Sequence, residues 1–118
     1  MTTDTDVYET LKYHRVVVDS DGSRRYYNAD GQLHREDGPA VVCSSGTREW
    51  WQNGQLHRED GPAQVGSDGT KLWCINGKYH RVGGPAIEWH NGMKYWFLHG
   101  TCLTKQQYHV RLGELGLA

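Results

Sequence analysis

A chain of 118 residues with a formal net charge of −1 is predicted to hold one domain, too small for a deep cleft between two. The near-neutral charge argues against a general nucleic-acid binder or a polybasic membrane anchor, and no apolar run approaches the ~20 residues of a membrane span. Leu, Ile, Val and Phe make up under a fifth of the chain, but 5 Trp and 7 Tyr supply apolar area in their place, so a thin, aromatic-rich core is expected.

In chain order, MTTDTD has no signal-peptide pattern, and residues 1–6 are expected to be disordered. YHRVVV at 13–18 reads as part of a degenerate unit, about residues 7–22, that keeps His14-Arg15 without the later GPA bend. Self-similarity then takes over. Gly31, Gly54, Gly77 and Gly100 stand 23 residues apart, and Pro39, Pro62 and Pro85 keep the same step. So do His34, His57 and His80, each followed by Arg35, Arg58 or Arg81. Tyr27, Trp50, Trp73 and Trp96 form a ring series, with Arg25, Arg48, Lys71 and Lys94 two places before. The units run over about 23–45, 46–68, 69–91 and 92–103.

Within a unit, TREWWQ favours a strand and Asn53-Gly54 fits the positive-φ positions of a two-residue hairpin turn. QLHR returns, EDGP interrupts, AQV resumes, and Asp68-Gly69 turns into the next unit. The prediction is an all-β antiparallel meander of about four hairpin repeats over 7–103. A short C-terminal capping helix over 104–113 follows, with Thr104 as cap, Gln107 at the capping-box position and Gly113 at its end.

The turn register opposes Trp51 to Leu56, Trp50 to His57 and Glu49 to Arg58, with Tyr27 opposite His34, Trp73 opposite His80 and Trp96 opposite Leu103. One face would then carry the rings, imidazoles and Arg48, Lys71 and Lys94, and the other Arg35, Arg58 and Arg81. Histidines two strands apart lie roughly 9.6 Å from one another, too far to share one Zn²⁺, so neither metal nor cofactor is expected. No nucleophile motif or phosphate loop is present, and the His57/Asp60 pair, recurring as His34/Asp37, reads as turn chemistry; no enzyme activity is expected. Cys43, Cys74 and Cys102 form no CxxC and read as reduced thiols of a cytoplasmic protein.

The pattern W..NG.LHR.DGPA....DG.K.W over about residues 19–112 resembles the MORN-like repeats of phage, giant-virus and bacterial proteins. The resemblance implies an elongated antiparallel sheet. It also implies a phage-type accessory protein in the host cytoplasm that binds and inhibits a host protein, a defence protein among the candidates. Where the units differ, apolar and Arg positions suggest the contact surface: Trp51, Tyr79, Arg81, Trp89, Phe97 and Arg58. The alternative is a sponge for a nucleotide signal, using Arg48, Trp50, His57, Lys71, Trp73, His80 and Lys94, with a homo-oligomer completing the pocket. A lipid or single-stranded nucleic-acid surface ranks below both, and a structural role in a virion is a further alternative.

Overall fold

The computed structural model describes residues 14–117, so the segment 1–6 expected to be disordered, and residues 7–13 of the first unit, lie outside it. Among the described residues the chain forms thirteen short strands and one helix. The strands are β1 Arg15–Val18, β2 Arg24–Tyr27, β3 Val41–Val42, β4 Arg48–Glu49, β5 Trp51–Gln52, β6 Gln55–Leu56 and β7 Gln64–Val65. They continue as β8 Lys71–Leu72, β9 Cys74–Ile75, β10 Lys78–Tyr79, β11 Ile87–Glu88, β12 Lys94–Leu98 and β13 Thr101–Leu103, and the helix α1 spans Lys105–Glu114. Nine strands form one antiparallel sheet in the order β1-β2-β3-β4-β7-β8-β11-β12-β13, while β5-β6 and β9-β10 make two small hairpins beside it. The molecule is an elongated slab of 57 × 29 × 17 Å.

The small hairpins turn at Asn53-Gly54 (φ 48° and 80°) and Asn76-Gly77 (50° and 78°), and β12 turns into β13 at His99-Gly100 (50° and 84°). Two successive positive φ values are what a type I′ turn demands, which accounts for Asn-Gly at the first two. The strand expected over TREWWQ is in fact broken at Trp50. Its N–H reaches the Ala63 carbonyl and its carbonyl accepts from His57 N–H, so the chain changes partners there; Trp73 does the same with Ala86 and His80.

The first hairpin departs from the predicted register. Its loop closes from Asn28 to Gln32, one residue longer than an Asn-Gly turn, and His34 N–H therefore reaches Tyr26. Tyr26, not Tyr27, stands with Trp50 and Trp73 in the hydrogen-bond pattern. Likewise Arg24 shares a row with Val42, Arg48, Val65, Lys71, Glu88 and Lys94, while Arg25 falls in the row of Val41, Glu49, Gln64, Leu72, Ile87 and Tyr95.

The helix begins as the sequence suggests but does not end at Gly113: it runs to Glu114, and the positive φ that follows falls at Gly116 (71°). Thr104 Oγ1 accepts from Gln107 N–H and Gln107 Oε1 accepts from Thr104 N–H, a complete capping box. It buries Tyr108 and Leu112 against Leu98, with Trp96 and Leu103 alongside. A second cluster joins Tyr26 and Ala40 to Val16 and Trp51. Ala40 of that cluster and its counterparts Ala63 and Ala86 are each wholly buried.

Candidate functional site

The HRxxGPA segments form three loops on one side of the sheet, and each is built around its arginine. Arg35 lies over the Tyr26 ring at 4.0 Å, Arg58 over Trp50 at 3.8 Å and Arg81 over Trp73 at 3.7 Å. The same guanidinium groups donate through Nη1 to the carbonyls of Pro39, Pro62 and Pro85. In the first two loops Nε also donates to Asp37 or Asp60, at 3.0 Å in each case. Gly38, Gly61 and Gly84 pass beneath these groups, where a Cβ would stand 3.2, 3.0 and 2.7 Å from the arginine Cζ. The arginine thus holds ring and loop together by a cation–π contact and hydrogen bonds.

This corrects the expectation that Arg35, Arg58 and Arg81 face away from the rings. Strict alternation holds for a straight strand, but here the chain changes partners at Trp50 and Trp73 and bends at 36–38, 59–61 and 82–84, so alternation does not carry through to the arginines.

The histidines tie each hairpin to the next. His34 Nδ1 accepts from Asn53 N–H, His57 Nδ1 from Asn76 N–H and His80 Nδ1 from His99 N–H, at 3.0, 3.0 and 2.9 Å. Beside them Gly54, Gly77 and Gly100 donate to the carbonyls of Leu33, Leu56 and Tyr79. An accepting Nδ1 must be unprotonated, which places the ring proton on Nε2. Glu36 and Glu59 stand 3.6 and 3.5 Å from that atom in the first two loops. In the third loop Val82 takes this position, and His80 instead stacks on His99 at 4.2 Å.

Between consecutive loops lie two grooves. The first, about 720 Å³, is lined by Arg35, Glu36 and Asp37 on one side, by Arg58, Glu59 and Asp60 on the other, and by Trp50. The second, about 670 Å³, replaces one acidic wall by Arg81, Val82, His80 and His99 over Trp73 and Ile75. From the first groove to the second the lining thus loses Glu36 and Asp37, keeps Glu59 and Asp60, and gains Ile75, Val82 and Arg81.

The predicted contact residues do not form one patch. Arg58, Arg81 and the paired rings of Tyr79 and Phe97 (5.0 Å between centroids) belong to the loop and hairpin side. Trp51 is half-buried on the Tyr26 cluster, and its indole N–H donates to Glu49. Trp89, 44% exposed, lies with Met93 in the turn joining β11 to β12, at the opposite end of β12 from Phe97. Of the alternative set, Arg48, Lys71 and Lys94 are exposed, whereas Trp50 and Trp73 each have one face covered by arginine and His57 and His80 spend Nδ1 on the joints.

Sequence reasoning missed His99, which occupies a position filled by Asn in the earlier turns, and Tyr108, whose hydroxyl reaches the third loop. The His-Gly that replaces Asn-Gly was the available signal for His99. Among the described residues no cluster suited to a metal ion occurs and no helix is long and apolar enough to cross a membrane. No protein-family model, curated protein or solved structure matches this chain.

Proposed function

We propose that the protein is a non-catalytic binding module of 23-residue MORN-like hairpin units, which holds one protein partner against its loop side. The observation that carries this reading is the pair of adjoining grooves. Their walls are pinned at each arginine; Glu59 and Asp60 line both, Glu36 and Asp37 line only the first, and Ile75 and Val82 only the second. A rigid surface with a more acidic end and a more apolar end suits a protein surface of graded character, because anchoring side chains and charge complementarity are then both supplied. On the family resemblance, the partner is a host protein that a phage-type accessory protein inhibits. The nucleotide-sponge alternative has less support, since a base seeking Trp50 or Trp73 finds one ring face of each already stacked by a guanidinium group.

The test is capture of partners from a bacterial host by tagged protein, with mass spectrometry of co-eluting proteins and of small molecules released by heat. One stoichiometric protein, lost with Val82→Asp or Glu59→Lys and retained with Trp89→Ala, supports the grooves as the contact surface. A released nucleotide with no protein partner reverses the reading.

A further inference from the structure

The three hairpin joints share one hydrogen bond but not one electrostatic setting. At the first two, a carboxylate faces the imidazole Nε2 and can stabilise a charged ring. At the third, Val82 removes that carboxylate and a second imidazole, His99, lies nearly parallel to the first at an interplanar angle of 28°. The other charged groups near the joint are Arg81, which is anchored on Trp73, Lys78, whose stem runs along Gly100, and Arg58, Glu59 and Asp60 on the far wall of the groove. Arg58 and Asp60 are bonded to each other.

We propose that the His80–His99 joint is an acid-operated latch, in which protonation of the two imidazoles frees the 98–101 turn from the preceding hairpin and widens the groove they line. The hydrogen bond fails because a protonated Nδ1 is a donor and can no longer accept His99 N–H, a loss the first two joints would share but with a carboxylate still beside the ring. The stack fails because two imidazolium rings 4.2 Å apart repel. The remaining ties of the turn to the earlier hairpin are few: Gly100 N–H to Tyr79, a long 3.4 Å bond from Arg81 N–H to Phe97, and the Tyr79–Phe97 ring contact. The other end of β12 stays paired to β11 through Tyr95 and Lys94, so the movement is confined to the turn.

Burial, and then the neighbouring His99, hold His80 below the ordinary histidine range. The sign follows. The open joint takes up protons more readily than the closed one, so closure is fully favoured above about pH 6.5 and weakens as pH falls below that value.

The test is residue-resolved amide exchange by NMR on the whole protein between about pH 7.5 and about pH 5, corrected for intrinsic rates. Protection of Gly100 N–H, which donates to the Tyr79 carbonyl and to no imidazole, is expected to fall about tenfold, while Gly54 and Gly77 N–H, bonded to the Leu33 and Leu56 carbonyls, change much less. His80→Asn, whose side-chain oxygen accepts the same N–H without titrating, is expected to abolish the fall. The ¹⁵N shifts of His80 in the unmodified protein report the tautomer, with Nδ1 unprotonated expected at neutral pH, and remain informative if that variant does not fold. Unchanged protection at Gly100, an equal loss at Gly54, Gly77 and Gly100, or a protonated Nδ1 at neutral pH overturns the proposal.

Discussion

The Tyr108 hydroxyl donates to the Arg81 carbonyl at 2.6 Å and accepts N–H from Gly83 and Gly84, at 2.9 and 3.3 Å. The capping helix therefore completes the third loop. Gly83 stands where the other loops have Asp37 and Asp60, and its φ of 100° is open to glycine at little cost. Departure from the RED pattern is thus in part an accommodation to the helix.

Replacing the wholly buried Tyr108 by Phe leaves the Arg81 carbonyl and the Gly84 amide, and at the exposed edge the Gly83 amide, short of a partner. A loss of about 1–3 kcal/mol is expected in denaturant unfolding, with the exchange of Gly83 and Gly84 amides accelerating first. Unchanged stability would mean that water replaces the hydroxyl.

Alanine at Gly38, Gly61 or Gly84 sets a methyl group against the overlying guanidinium, which must shift from its present place. The intruding methyl comes nearer in that order, so the loss of stability should rise from Gly38 to Gly84, toward about 1–2 kcal/mol. Thermal melts of the three variants check the ranking.

Arg58→Lys keeps the charge but loses the flat stack on Trp50 and the paired reach to Asp60 and Pro62. About 1–2 kcal/mol of destabilisation is expected by chemical unfolding, whereas an exposed Arg48→Lys should cost under about 0.5 kcal/mol. Equal effects would show that charge alone matters at this position.

Burial pushes the Cys74 thiol up to about 11, while Cys102 is exposed. Near pH 8, iodoacetamide should label Cys102 readily and leave Cys74 intact until the chain is unfolded, as followed by peptide mass spectrometry. Early labelling of Cys74 would show that the β9–β10 hairpin opens on its own.

Much of this architecture can be read directly from the residues. Asn-Gly pairs mark two of the tight turns because few residues accept two positive φ values in succession, and Thr104 with Gln107 marks the helix start. The first hairpin misleads because its Gly31 keeps step with Gly54 while its loop is one residue longer. With Tyr at both 26 and 27, composition does not reveal which ring belongs beside Trp50. The site was harder still to foresee. Arg58 lies over Trp50 where the strand breaks at that tryptophan and the chain bends at 59–61, a local geometry that alternation does not encode. The Tyr108 contact joins residues 25 apart in sequence through a hydroxyl, with nothing in the pattern to announce it.

The histidine joints also bear on how the chain is made. Each hairpin apex seeks an acceptor 19 residues earlier, on a segment already synthesised when the apex emerges. Assembly can therefore follow translation, each new turn docking on the last with little wait for distant sequence. The helix leaves the ribosome after all three loops and closes the third of them, so docking of Tyr108 follows the formation of the loops it completes.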